Sequence, residues 1–379
     1  MDNIIPVKNI DYIKINEINT SELEKLDACE YKTLSSYLIG KIPAKQLLDS
    51  YELDIFNEEI KKSISVKTIK AKKLVVVLKA TRLCNLRCTY CHSWAEGPNQ
   101  TVSFHTLVRT VRQILAIPNV NRFEFVWHGG EITLLKPAFF KKLIWLQQQF
   151  KRPEQYITNT MQSNVVNISD EWLVFIKGIG MNVGISLDGV PAVNDKRRVD
   201  YRGRKTSDRI ASGIKKLRQY NISYGALIVV DREVYQTDMK EMLDYFISIK
   251  LTHIEFLNIV PDNRLVKGEY VGDGFISYAE FIQFLSTLFT IWVKGYQGKI
   301  HIAVFDDFIR VLKNAKNKPF DQNQWPNGKP PFTNKSVTIN SPLFRIENCT
   351  FHGLCTAFMA NLLGVVPIRS IMLNRGHFS

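Results

Sequence analysis

The sequence predicts an α/β fold built as a partial barrel of six strand–helix units. Three observations carry this. From residue 72 short apolar or β-branched runs alternate with longer segments of helical period. Serine, proline and glycine stand where helices should start and stop. The alternation occurs about six times, fewer than the eight units that close a full barrel. Apolar strands separated by helices imply parallel pairing with right-handed crossovers. An unclosed barrel leaves a lateral gap wide enough for a large substrate.

The elements follow in order. Residues 1–66 are polar and helix-prone: SELEKLDACEYKTLSSYLIG ends at Gly40, and IPAKQLLDSYELDIFNEEIKK reads as a second helix or a pair. Cys29 lies here alone and reads as a small buried thiol. LVVVL (74–78) reads as a buried strand and 102–117 as a helix. FEFVWH (123–128) is a strand, and 136–150 a helix with Pro137 near its start. YITNTMQSN holds a third strand, and 169–180 a helix with Ser169 as cap and a closing glycine. NVGISL (182–187), SYGALIVV (223–230) and HIEFLNIV (253–260) are strands, separated by SDRIASGIKKLRQY and TDMKEMLDYFISIK as helices. Beyond Pro261, residues 278–296 form an amphipathic helix, IHIAVFDDFIRVLKNAK reads as strand then helix, and 317–348 are loop-like. The expected organisation is a helical extension at 1–66 available for peptide docking, a core at 67–270 and a C-terminal region at 271–379.

The 379 residues are 45% hydrophobic and 23% charged, which fits a globular chain. The N-terminus lacks a basic region followed by an apolar core, and FIQFLSTLFTIWV is too short to span a bilayer. A cytoplasmic, monomeric protein without membrane contact is expected, with its six cysteines serving as ligands or core residues. The net charge of +14 favours anionic partners such as nucleic acid or an acidic peptide. Of the basic clusters, only Arg197–Lys205 lies at a strand end where function concentrates.

RLCNLRCTYCHSW (82–94) follows the first strand and holds Cys84, Cys88 and Cys91. Three thiolates on one short loop suit three irons of a [4Fe–4S] cube and leave the fourth iron open to a small molecule. Structural zinc wants four ligands and a redox pair needs only two cysteines. His92 could complete a zinc set, but adjacent Cys91 and His92 side chains seldom converge on one metal. Haem attachment would use Cys88, Cys91 and His92 and leave Cys84 idle. The iron–sulfur reading accounts for all three cysteines; zinc, haem and a disulfide remain as alternatives.

CNLRCTYC resembles the cluster motif of radical S-adenosylmethionine (SAM) enzymes, and the resemblance runs through about residues 72–260. It implies that Cys84, Cys88 and Cys91 hold a [4Fe–4S] cluster, with Tyr90 among the cofactor-binding residues. Gly129, Gly130 and Glu131 resemble the GGE motif that holds the methionyl amino group. Ser163 and Asn164, at QSN, stand where the family often has Thr-Asn-Gly. Ser186 and Asp188, in SLDG, and Arg198, in NDKRR, resemble segments of the peptide- and protein-modifying branch, with Arg198 available for the SAM carboxylate. The chemistry implied is reductive cleavage of SAM to a 5′-deoxyadenosyl radical, which abstracts hydrogen from an unactivated C–H bond.

Cys349 and Cys355 resemble the opening of a SPASM-type auxiliary-cluster domain. The family's next cysteine, expected after a short apolar hairpin, is missing from LLGVVPIRSIM. The resemblance therefore implies an incomplete, truncated or divergent extension. His352 is incidental to it, an auxiliary [4Fe–4S] cluster at Cys349 and Cys355 would need ligands beyond these two thiolates, and the catalytic base is not assignable. The function expected first is maturation of a precursor peptide by cross-linking, with an external one-electron donor of the flavodoxin or ferredoxin type. Alternatives are an anaerobic sulfatase maturase, an RNA-modifying enzyme, which the SLDG segment disfavours, and a cluster-binding protein that has lost catalysis.

Overall fold

The computed structural model describes residues 34–63, 73–91, 93–94, 96–259, 265–266, 269–270 and 274–315. Cys29, His92, Cys349, His352 and Cys355 lie outside them. In chain order the elements are α1 (Leu34–Gly40), α2 (Ala44–Leu47), α3 (Ser50–Lys61), β1 (Lys73–Thr81), α4 (Phe104–Leu115), β2 (Arg122–Gly129), α5 (Pro137–Phe150), β3 (Tyr156–Ser163), α6 (Asp170–Ile179), β4 (Asn182–Ser186), α7 (Pro191–Arg197), α8 (Ser207–Gln219), β5 (Tyr224–Val230), α9 (Arg232–Tyr235), α10 (Met239–Ser248), β6 (His253–Asn258), β7 (Leu265–Val266), β8 (Glu269–Tyr270), α11 (Tyr278–Gly295), β9 (His301–Ile302) and α12 (Ala303–Ala315). The principal sheet runs β1-β2-β3-β4-β5-β6-β9, and its first and last strands do not join. This is the unclosed parallel α/β architecture expected. The chain divides into two units, residues 1–186 with 198–224, and residues 187–197 with 225–379.

In the first unit β1, β2, β3 and β4 pair in parallel, with Val76 opposite Phe125, Trp127 opposite Met161, and Met161 opposite Val183. These residues share one face and are buried. Helices fill it from above: Trp127 meets Phe140 of α5 edge-on at 5.7 Å, and Phe140 meets Trp172 of α6 at 5.2 Å. The Trp127 indole N–H donates to Asn159 at 2.8 Å, which satisfies its buried polar atom. On the opposite face the residues of β2, β3 and β4 are mostly half-buried. Val75 and Val77 are 43% and 56% exposed, so β1 is buried on one side only, not on both as its apolar run predicts. Apolar content alone does not say whether a second layer covers a strand.

The helical extension leans on the outside of this unit. Asp49 caps α3 in a reciprocal box with Glu52. Phe56 packs on Trp145 and Phe150 of α5 at 4.7 and 5.9 Å. Buried Glu59 accepts from Arg112 of α4 at 2.7 Å and from Lys62 at 2.8 Å, and Glu52 pairs with Lys142 of α5.

In the second unit β5, β6 and β9 are parallel, with Leu227 opposite Glu255 and His253 opposite His301. Phe256 of β6 packs on Phe284 of α11, and Phe289 of α11 on Phe305 of α12. The short helices α7 and α9 and the β7–β8 hairpin are absent from the sequence prediction because each is too brief to show a period. Among the described residues no helix is long and apolar enough to cross a membrane.

Candidate functional site

The cysteine loop leaves β1 at Thr81 and is pinned by the end of β2. The Gly130 N–H donates to the Thr81 carbonyl and the Glu131 N–H to the Leu83 carbonyl, both at 2.7 Å. A Cβ on Gly129 or Gly130 would sit 2.0 Å from the Thr81 or Leu83 oxygen, respectively, and Gly129 has φ +137°. The pair is therefore glycine because backbone meets backbone there. The backbone they approach is the segment that leads into Cys84.

Cys88 is buried, Cys84 and Cys91 are half-buried, and none of the three is in a disulfide. The Leu86 N–H points at the Cys84 sulfur at 3.3 Å and the Ser93 N–H at the Cys91 sulfur at 3.4 Å. Burial pushes the Cys84 thiol up to about 11, and negative charge on Glu131, Cys88 and Cys91 adds to this against the Leu86 N–H. Among the described residues no three His, Cys, Asp or Glu side chains converge on a single ion.

Glu131 is 1% exposed and its carboxylate is already bonded. One oxygen accepts from the Thr133 N–H (3.0 Å), the Thr133 hydroxyl (2.6 Å) and the Ser163 hydroxyl (2.7 Å); the other accepts from the Asn164 N–H (2.8 Å). Glu131 thus ties the ends of β2 and β3 together. The Asn164 amide donates to Asn85 at 2.8 Å, so the tie reaches the residue after Cys84. Ser186 accepts from the Gln162 amide at 2.7 Å, across β3 and β4.

Arg198 donates to the Tyr90 hydroxyl at 2.5 Å, which brings two of the predicted residues together beside Cys91. The segment after Arg198 lies along the cysteine loop: the Arg87 N–H donates to the Val199 carbonyl at 2.7 Å, and Leu86 bridges Asp200. Burial raises the Asp200 carboxyl, but the N–H groups of Arg204 and Arg202 and the Arg204 side chain outweigh it and hold the group well below the usual carboxylate range.

Asp188 belongs to the second unit's own network. It is fully buried, accepts from the Val229 N–H at 3.3 Å, and lies 3.8 Å from the Arg197 guanidinium, which also pairs with Asp231 at 2.9 Å. Sequence reasoning overlooks Asn85, Thr133, Asp200 and His128. Asn85 and His128 are signalled only by adjacency to the motifs, and Thr133 by its place two residues after Glu131. His128 accepts from the Gly129 N–H through Nδ1 at 2.7 Å, and burial, then Lys79, lower its pKa, so the ring is neutral.

The sequence model of the radical SAM superfamily matches residues 78–246. A serine-type anaerobic sulfatase-maturating enzyme of Bacteroides thetaiotaomicron is 30% identical over 258 residues, covering 62% of this chain and 61% of that enzyme. A cysteine-type anaerobic sulfatase-maturating enzyme of Clostridium novyi is 27% identical over 250 residues, covering 64% and 66%. The solved structure of native anSMEcpe with bound AdoMet and Kp18Cys peptide superposes with a TM-score of 0.57 at 25% identity, covering 64% of this chain and 66% of that one. The chain thus spans about three fifths to two thirds of the length of these relatives.

Proposed function

Because the chain carries a radical SAM domain homologous to anaerobic sulfatase maturases, we propose that it is an enzyme that activates a C–H bond of a peptide or protein substrate. The observation that supports this most is the Glu131 tie, which holds the GGE and QSN strand ends against the loop of Cys84, Cys88 and Cys91.

Cys84, Cys88 and Cys91 would hold a [4Fe–4S] cluster. SAM would sit among Gly129, Gly130, Ser163, Asn164 and Ser186, with Tyr90, Arg198 and Asp188 as further contacts by resemblance. When bound, these groups supply one-electron cleavage of the sulfonium and a carbon radical able to take hydrogen from the substrate. The chain's own residues do the positioning. Glu131 acts from behind, fixing Ser163 and Asn164, with Gly129 and Gly130 as ammonium contacts by resemblance. Arg198 is steadied by Tyr90 for a carboxylate.

The substrate we favour is a precursor peptide that becomes cross-linked. The names of the relatives favour a second reading, oxidation of Cys or Ser to formylglycine in a sulfatase. No auxiliary cluster is assigned, and a monomer working in the cytoplasm is expected. The test is anaerobic reconstitution with iron and sulfide, followed by measurement of 5′-deoxyadenosine and of substrate mass. Incubation with peptides encoded beside the gene and with a sulfatase-motif peptide separates the two readings. A chain that binds iron but forms no 5′-deoxyadenosine would overturn both.

A further inference from the structure

Residues Tyr201–Lys205 form an exposed turn of sequence YRGRK, directly beyond the segment bonded to the cysteine loop. Buried Asp200 holds the turn in shape. One of its oxygens accepts from the backbone N–H groups of Arg202 (2.9 Å) and Arg204 (3.0 Å), and the other from the side chains of Arg204 (2.8 Å) and Arg209 (3.2 Å). Gly203 supplies the left-handed φ of +71° that the turn requires. Tyr201 is 60% exposed with the Arg202 guanidinium 5.2 Å from its ring centroid, and Lys205 is exposed beside them. Asp208 is the nearest exposed acid in sequence.

We propose that this turn is the docking surface for an acidic one-electron carrier protein that reduces the cluster at Cys84, Cys88 and Cys91. The inference rests on the radical SAM reading. Charge selects an acidic partner, and position selects an electron carrier over an acidic substrate. The turn is basic with an aromatic–arginine pair, a combination enriched where interfaces concentrate their binding energy. Its backbone is also continuous with bonds to Leu86 and Arg87, between Cys84 and Cys88. An electron donor needs a short path to the cluster loop, whereas a hydrogen-abstraction substrate needs reach to the SAM carbon. The step moves one electron from the reduced carrier to the cluster, which passes from the 2+ to the 1+ state. No atom or proton is transferred, and the carrier leaves in its oxidised form.

The test uses the full reconstituted chain, an acidic flavodoxin as the carrier, and the double variant Arg202→Glu/Lys205→Glu. Arg204 stays in place because it neutralises Asp200. Carrier binding is followed by anisotropy, and 5′-deoxyadenosine formation is driven either by reduced flavodoxin or by dithionite. The variant should lose about tenfold in flavodoxin affinity and in flavodoxin-driven rate while keeping its dithionite-driven rate. Raising salt from about 50 to about 300 mM should weaken wild-type binding and leave little difference between the two proteins. Unchanged flavodoxin binding by the variant overturns the proposal. So does loss of peptide modification under dithionite, which would give the turn to the substrate instead. If wild type forms no 5′-deoxyadenosine with dithionite, the radical SAM reading fails, and the binding isotherms still decide whether the turn receives the carrier.

Discussion

A methyl group on Gly130 would press against the Leu83 carbonyl, which belongs to rigid backbone rather than to a side chain that could swing away. Gly130→Ala should therefore cost about 2–3 kcal/mol in urea unfolding and displace the cysteine loop, so that bound iron falls with stability. Glu131 makes a sharper test. In Glu131→Gln the new NH2 group must face a backbone donor, either the Asn164 N–H or the Thr133 N–H. A loss of about 1–3 kcal/mol is expected, read in the same unfolding assay. SAM affinity should fall with it if Glu131 acts through Ser163 and Asn164, and iron content should hold because no cysteine is touched. On β6, burial raises the Glu255 carboxyl, so the folded chain keeps a proton that the unfolded chain releases. That stability is present below the ordinary carboxyl pKa and lost as pH rises through the folded one. Glu255→Gln should leave stability unchanged at acid pH and increase it near neutrality; equal stabilities across that range would contradict the assignment.

Among the elements, the long helices and strands were legible because each shows its own signal. Ser169 caps α6 by accepting from the Trp172 N–H, Ser277 caps α11 in a box with Glu280, and Pro137 opens α5. The split of residues 42–62 into α2 and α3 was left open by periodicity and decided by the Asp49 cap. The two faces of β1 were not legible, since LVVVL reads alike whether covered once or twice. The role of the extension was not legible either: Phe56 and Glu59 look like any amphipathic helix until Trp145 and Arg112 are found opposite them. Phe56→Ala should cost about 3–5 kcal/mol and release α3 from α5, seen as early hydrogen exchange of residues 50–61 while β1 to β3 remain protected. Any part that α1–α3 take in peptide docking must use surface other than the face buried on α4 and α5.

For the whole molecule, the iron count is the decisive quantity. Reconstitution should give about four irons per chain with broad thiolate-to-iron absorbance, and replacing Cys84, Cys88 and Cys91 together by alanine should abolish both. About eight irons would instead require the region of Cys349 and Cys355 to hold a second cluster. The sequence by itself determined the α/β alternation, six of the seven strands of the unclosed sheet and the nomination of the three cysteines, because period and motif spacing are local properties of a chain. Only the tertiary structure decided what the motif residues touch. Gly129 and Gly130 make room for backbone, Glu131 spends its carboxylate on Ser163, Asn164 and Thr133, and Asp188 turns to Arg197. Those partners lie tens of residues away along the chain in most cases, and hydrogen bonds over such separations exist only once the strands have paired.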